Sequence, residues 1–331
     1  MREIAPPVPA DDPSFIALHP GGGTLYAVHE LGRTRGENWG AVSSFSIDRD
    51  TGELAPRNRQ PTGGAAPCHV RVTADGRILF VANYWGGSFS AFPLAPDGGI
   101  GACVTVVQHR DGAIGPGRDP GPHVHWTSPD PGGRHLFVAD LGRDEILCYR
   151  LDPDGLPIAD APGVHHFPAG TGPRHAVFLA GGRWLAVASE LASTITILGC
   201  DPNTCDIRQG QSLSTLPEGA TGENAVAEIA ATPDEKFLYV SNRGHDSIAI
   251  FEFDPSAGSI AYLGFCHTDG VWPRHFAIDP SGRVLVVANQ RSDALEVFHL
   301  DPDSGALRAT RSTYAVPAPT CVAIGPTMSS Y

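Results

Sequence analysis

A repeat of about 51 residues runs through almost the whole chain and constrains its fold more than any other sequence feature. Each copy begins with a proline before a short apolar strand and turns at a Pro/Asp/Gly cluster. It continues into a second strand that ends in Asn, Asp or Glu, and then into a third. The leading prolines are Pro13, Pro67, Pro122, Pro173, Pro273 and Pro319, and Asn224 stands near the place of the missing one.

The repeat unit is typical of a propeller blade. Each copy has three or four short strands separated by Gly/Pro/Asp turns, and no stretch between them shows helical periodicity. The 39 Gly and 30 Pro among 331 residues agree with an all-β fold rich in turns. Because large all-β folds often reach this length as one unit, we predict a single β-propeller domain over residues 1–331.

The repeat count predicts six full blades with an incomplete seventh. After the sixth unit only residues 320–325 remain, and we interpret them as a lone first strand. A propeller normally closes by pairing strands from both chain ends in one blade, so the ring has either a truncated seventh blade or closes with six. A truncated blade would leave an open seam of unpaired backbone groups, through which oligomerisation by strand addition is possible.

Composition and charge exclude several classes of protein. The net charge is −13, there is one Lys, and no basic stripe is present, which argues against nucleic-acid binding. No window is apolar enough to span a membrane, and the segment before residue 13 lacks a signal-peptide core, so we expect a cytoplasmic protein. The seven scattered cysteines are expected to be free thiols, and Cys200 with Cys205 lacks the second pair that a zinc site needs.

Propeller geometry predicts that polar residues far apart in sequence converge around one opening, where first strands start and second strands end. The first-strand starts supply His69, His123, His125, Arg174, His175, Glu228, Arg274 and His275. The second-strand ends supply Glu30, Asn83, Asp140, Glu190, Asn242, Arg243, Asn289 and Arg291. We interpret the Asn and Asp residues of this second group as structural, because they suit tight turns, tolerate left-handed φ and bond nearby backbone.

Two arginines and one glutamate carry the strongest chemical signal. An Arg fork matches a carboxylate or phosphate, so Arg174 and Arg243 are candidates for binding a small anion. Glu190 stands where most other units have Asn or Asp, and it is the best acid–base candidate. The sequence has no Gly-x-Ser-x-Gly elbow, phosphate-binding Gly-rich loop or His-Glu-x-x-His helix. The mechanism that remains is attack on the substrate by a water molecule, with a His or Glu side chain as the general base.

The chain resembles the lactonase-type seven-bladed propellers, which include propeller 6-phosphogluconolactonases and fungal 3-carboxy-cis,cis-muconate lactonizing enzymes. The resemblance rests on Pro122-His-Val-His125, Gly172-Pro-Arg-His175, Ser189-Glu190, Ser241-Asn-Arg-Gly244 and the recurring Leu-x-Val-x-Asn strand ends. It implies a catalytic His, two Arg and a Glu, which match His125, Arg174, Glu190 and Arg243, with the choice between His123 and His125 open. Family members begin with a Tyr-Val-Gly-Thr-Tyr-like strand, which this sequence lacks.

The residues and the resemblance together predict hydrolysis of a small anionic sugar lactone of the 6-phosphogluconolactonase type, without cofactor or metal. The substrate-binding candidates at the same opening are His123, His175, Arg274 and His275. Three alternatives stay open: cycloisomerisation of a carboxymuconate, a calcium-dependent lactonase that uses the Asn, Asp and Glu strand ends, and a non-catalytic binding scaffold. The clustering of ionisable residues favours an enzyme over a scaffold, whose rim would carry apolar or aromatic hot spots.

Overall fold

The computed structural model describes residues 1–32, 40–111, 120–160 and 162–325. In this part of the chain, 24 strands form six antiparallel four-stranded sheets, each built from strands consecutive in sequence. Two short 3-10 helices occupy Ala180–Gly182 and Gln290–Ser292. None of the described helices has the length and apolar character needed to cross a bilayer. The predicted all-β propeller with six full blades is confirmed.

The first of two compact units comprises the described residues of Arg2–Val164 together with Gly325. Strand β6 (Ile78–Asn83), in the middle sheet of this unit, shows why neighbouring sheets pack together. Its Leu79 and Val81 belong to one apolar cluster, and its Phe80 and Ala82 belong to another. Alternate residues thus bury both faces of the middle sheet. The strands are β1 (Pro13–Leu18), β2 (Thr24–His29), β3 (Ala41–Ile47), β4 (Leu54–Pro61), β5 (Pro67–Val72), β6 (Ile78–Asn83), β7 (Ser88–Pro93), β8 (Thr105–Gln108), β9 (Val124–Pro129), β10 (His135–Asp140), β11 (Glu145–Arg150) and β12 (Gly163–His166).

The second unit comprises Met1 and His165–Ile324. Its middle sheet repeats the pattern in strand β18 (Phe237–Arg243). Leu238 and Val240 belong to one apolar cluster, and Phe237 and Tyr239 belong to a second one. Full burial of each such side chain contributes about 1.5–3 kcal/mol. The strands are β13 (Pro173–Leu179), β14 (Trp184–Ser189), β15 (Thr194–Cys200), β16 (Ile207–Ser214), β17 (Ala225–Ala231), β18 (Phe237–Arg243), β19 (Ser247–Asp254), β20 (Ser259–His267), β21 (Pro273–Ile278), β22 (Val284–Asn289), β23 (Ala294–Leu300) and β24 (Leu307–Ala315).

The prediction of a lone strand over residues 320–325 is wrong, because these residues form no strand. An extended segment becomes a β-strand only when a neighbour supplies a hydrogen-bonded ladder, and in the described part of the chain no strand pairs with them. The segment is held in another way: the Val322 N–H donates to Nδ1 of His275 at 3.3 Å.

The expectation of free cysteines holds for five of the seven. Cys68, Cys103, Cys200, Cys266 and Cys321 are free thiols. Cys148 and Cys205 are disulfide-bonded, so for these two the expectation is wrong. Their sequence spacing gave no sign of this state, because a disulfide depends on the distance between residues in the folded chain.

Polar residues at the ends of three second strands tie their sheet to the preceding one. Asn242 Nδ2 donates to the Thr215 carbonyl at 3.0 Å, and Asn242 Oδ1 accepts from Thr215 Oγ1 at 2.7 Å. Thr215 directly follows β16, the last strand of the preceding sheet. Equivalent links join Asn289 to Thr268 and Asp140 to His109. The prediction that these residues are structural is therefore confirmed. The reason given for it, a left-handed backbone conformation, is wrong, because none of the three has a positive φ.

Replacing Asn242 with Ala should lower the free energy of unfolding by about 2–3 kcal/mol, because Thr215 then loses two buried hydrogen-bond partners. Urea unfolding monitored by circular dichroism measures the change. Gln209→Ala, on the exposed outer strand β16, is the matched control and should change stability by less than about 0.5 kcal/mol. Equal effects of the two substitutions would show that the link contributes nothing specific.

Candidate active site

A β-bulge interrupts the start of the first strand in each of the six sheets. In β13, Pro173 pairs with Ser189 and His175 pairs with Ala188, so Arg174 is an additional residue on its strand. The other bulge positions are Ser14, Cys68, His125, residues 227–228 and Arg274. A bulge breaks the alternation of side chains, re-aims them and is frequent beside active sites. The bulges therefore explain how the repeated Pro-Arg-His motif turns its side chains toward one place.

Arg174, Glu190 and Arg243 meet in one buried cluster of the second unit, as the sequence predicts. Arg174 Nε donates to Glu190 Oε2 at 3.0 Å, and Arg243 Nη2 forms an ion pair with the same oxygen at 2.8 Å. The side chains are 4%, 13% and 9% exposed in that order. One carboxylate thus holds two guanidiniums from adjacent sheets.

Backbone carbonyls of β17 complete the positioning of both arginines. Arg174 Nη1 donates to the Ala227 carbonyl at 2.9 Å, while Arg243 donates from Nε to Ala225 and from Nη2 to Val226. A guanidinium has five N–H donors. Within the described residues, these bonds leave Arg174 Nη2 and Arg243 Nη1 available to a ligand. Each arginine can therefore offer one Nη group to a ligand.

Burial lowers the pKa of Arg174 to about 10, and the nearby Arg243 charge acts in the same direction. The guanidinium nevertheless stays protonated at neutral pH. The charge of Arg274 also acts on Arg174, so this region holds three arginines and two carboxylates, Glu190 and Glu228. A positive local charge in a protein of net charge −13 favours a small anionic ligand at this place.

Gly244 explains the end of the Ser241-Asn-Arg-Gly motif. Its φ is +112°, a value that other residues rarely adopt, and a Cβ there would lie 2.3 Å from the Glu223 carbonyl oxygen. Glycine therefore lets the chain turn sharply directly after Arg243, which keeps that arginine at the end of β18.

A second buried cluster joins Glu228 to two predicted substrate-binding histidines. Glu228 Oε2 accepts from His175 Nδ1 at 2.8 Å and from His275 Nε2 at 3.1 Å. Glu228 Oε1 accepts the Ile229 N–H. The sequence placed Glu228 at the same opening but assigned it no role, and its partners could not be found from sequence because they lie 53 and 47 residues away.

Both histidines of this cluster are neutral at pH 7. Burial lowers the pKa of His275 to about 4, which outweighs the opposite effect of Glu228. Burial also lowers the pKa of His175 well below 6.5, and the Arg174 charge adds to this shift. The contacts with Glu228 are therefore hydrogen bonds from neutral imidazoles rather than ion pairs. The Val322 N–H bond to Nδ1 assigns the His275 proton to Nε2.

His123 and His125 lie in the first unit, against aromatic rings. The Tyr84 ring stacks on His123 at 4.5 Å and meets His125 edge-on at 5.6 Å. Trp85 contacts His123 edge-on at 5.2 Å. The His123 N–H donates to Asp140 Oδ1 at 2.8 Å, which ties His123 to the sheet. His125 is the bulge residue of its strand. The choice between the two histidines, and the action of either with Arg174, stay predictions.

The structure thus brings together Arg174 with Glu190 and Arg243, and His175 with His275. The stacking around Trp272 was missed by sequence reasoning: the guanidinium carbons of Arg243 and Arg291 lie 5.4 Å and 3.4 Å from its ring centroid. Among the described residues, no group of three or more His, Cys, Asp or Glu is placed to hold a metal ion.

Comparisons with known proteins identify the family of this chain. The family model described as "Lactonase, 7-bladed beta-propeller" matches residues 5–324. A 6-phosphogluconolactonase of Bacillus subtilis is 33% identical over 312 residues, covering 94% of this chain and 86% of the relative. One of Formosa agariphila is 33% identical and covers 80% and 75%. The solved periplasmic gluconolactonase PpgL of Pseudomonas aeruginosa has a TM-score of 0.85 and 32% identity, covering 93% and 86%. This chain belongs to the lactonase family of seven-bladed β-propellers.

Proposed function

We propose that this protein hydrolyses a small anionic sugar lactone, with 6-phosphogluconolactone as the preferred substrate. The observation that carries the proposal is the Glu190 carboxylate, 13% exposed, which lies between Arg174 and Arg243, with one Nη group of each arginine left for a ligand. Two guanidiniums at one point suit the binding of a carboxylate or phosphate. The relatives named 6-phosphogluconolactonase support this substrate class.

The reaction requires a water molecule to attack the ring carbonyl, which places negative charge on the carbonyl oxygen and releases a proton from water. We assign the stabilisation of this oxyanion to Arg174 and the binding of the distal phosphate or carboxylate to Arg243. Glu190 or His125 accepts the proton. The ring oxygen then leaves with a proton, and the product is the open hydroxy acid.

Glu190 has a second role in this proposal, because its Oε2 lies against both guanidiniums and offsets the repulsion between them before substrate binds. An incoming anion competes for the N–H donors of Arg174 and Arg243, which frees lone pairs on the carboxylate for a proton. His123, His175, Arg274 and His275 are proposed to bind the substrate.

Arg174→Ala should lower kcat/KM for 6-phosphogluconolactone by about 10²-fold or more, because the oxyanion loses its donor. The measurement is hydrolysis above the spontaneous rate, with chain integrity checked by circular dichroism. Arg208→Ala, on the exposed outer strand β16, is the matched control and should retain wild-type activity. If the wild-type protein does not raise the hydrolysis rate above the spontaneous rate, 6-phosphogluconolactone is not its substrate.

The buried histidines predict a pH dependence of stability. His275 protonates near pH 4 when folded and near pH 6.5 when unfolded, so the unfolded chain binds more protons between these values. The free energy of unfolding should therefore fall as pH decreases from about 6.5 to about 4, by about 1.4 kcal/mol for each unit of pKa difference. Urea unfolding across this range measures it. His275→Gln should flatten the curve, and an unchanged slope would contradict the prediction.

We propose a cytoplasmic location, in the pentose phosphate pathway of carbohydrate metabolism. A phosphorylated lactone is charged and does not cross a bilayer, so its hydrolase works where the lactone is formed. No nucleic-acid or membrane partner is proposed, in keeping with the net charge of −13.

We also propose that the six sheets form one propeller domain with an incomplete seventh blade. The family description counts seven blades, whereas the described residues form six four-stranded sheets. An open seam would allow oligomerisation by strand addition. Hydrogen exchange should be fast at residues 320–325 and slow in β14 at the centre of its sheet. Uniformly slow exchange in a monomer would show instead that six blades close by themselves.

A further inference from the structure

Trp272 has a backbone conformation that bulky residues rarely adopt. Its φ is +66°, and it directly precedes the second Pro-Arg-His motif. Its N–H donates to Asp246 Oδ1 at 2.8 Å, and its carbonyl accepts the Gln290 N–H at 3.0 Å. Such outliers persist where surrounding contacts hold them, and they concentrate at ligand-binding sites. These bonds hold the Trp272 backbone, and the indole ring lies against Arg243 at the edge of the arginine cluster.

The Trp272 indole is shared by two arginines of different exposure. The Arg243 guanidinium carbon lies 5.4 Å from the ring centroid, and that of Arg291 lies 3.4 Å from it. Arg243 is buried and bonded to Glu190, whereas Arg291 is exposed. A guanidinium stacked on an aromatic face is oriented without using its N–H donors. The ring thus connects the buried cluster with an outer, preoriented cation.

Arg291 forms no ion pair with any carboxylate in the described ranges of the chain. Its backbone N–H donates to the Val271 carbonyl at 3.1 Å, which fixes residues 290–292 against the Trp272 segment. Arg243, by contrast, has already used Nε and Nη2 on Ala225, Val226 and Glu190. The remaining Nη1 group of Arg243 has too few N–H donors for a phosphate dianion, because each of the three terminal phosphate oxygens accepts hydrogen bonds.

We propose that Arg291, stacked on Trp272, forms with Arg243 an outer subsite that binds the phosphate of a phosphorylated sugar lactone. This inference rests on the proposed lactonase function and adds a residue that determines substrate specificity. An unphosphorylated sugar lactone has no group for the outer cation, so Arg291 should discriminate between the two. Arg174 and Glu190 act on the reacting carbonyl in both cases.

The test compares 6-phosphoglucono-1,5-lactone with glucono-1,5-lactone in the wild type, Arg291→Ala and Arg291→Lys. Arg291→Ala should lower kcat/KM for the phosphorylated lactone about tenfold or more, mainly through KM, and change the unphosphorylated lactone less than about twofold. Arg291→Lys should fall between, because it keeps the charge but loses the flat fork. Arg283→Ala, in the exposed turn at the other end of the same sheet, is the control and should match the wild type.

Calorimetric binding of 6-phosphogluconate and of inorganic phosphate separates this proposal from the lactonase proposal, since neither measurement needs turnover. Weaker binding by Arg291→Ala, with binding by Arg283→Ala unchanged, supports the subsite even if the wild type hydrolyses no lactone. The subsite is overturned if Arg291→Ala binds both ligands as the wild type does, if the wild type binds neither, or if both lactones lose activity equally.

Discussion

The position of the site depends first on hydrogen bonds between neighbouring sheets. Each joins a polar side chain at the end of a second strand to the residue that follows the last strand of the preceding sheet. Apolar packing between sheets supplies most of the stabilisation, but it is not directional. The buried Asn242 with Thr215, repeated by Asn289 with Thr268, sets how one sheet meets the next. Arg243 directly follows Asn242, so the link that aligns two sheets also positions a guanidinium of the site.

The bulges then allow one repeated backbone to carry different chemistry. Every first strand contains the same irregularity, yet the side chain there is Ser14 or Cys68 in some sheets and His125, Arg174 or Arg274 in others. The fold thus offers equivalent positions, and the residue types decide which of them bind. Function is a property of the site and not of the propeller itself.

Burying two arginines in one place is costly unless each is compensated. Here Glu190 and the carbonyls of β17 accept from Arg174 and Arg243, while neighbouring His175 and His275 stay neutral. The cluster is therefore positive but internally hydrogen-bonded. The exposed Arg291 on Trp272 extends this positive region toward solvent, which assists the approach of an anion to a protein that is acidic as a whole.

The repeat by itself determined the blade architecture, because strand alternation and turn residues are local properties. It also singled out Glu190, which stands where most other units have Asn or Asp, and Arg174 with Arg243, because an Arg fork matches a carboxylate or phosphate. Local pattern failed at residues 320–325, which belong to none of the strands in the described part of the chain. Only the tertiary structure decided that Glu228 binds two histidines and that Trp272 joins two arginines. These contacts depend on ångström distances between sheets, which no periodicity along the chain encodes.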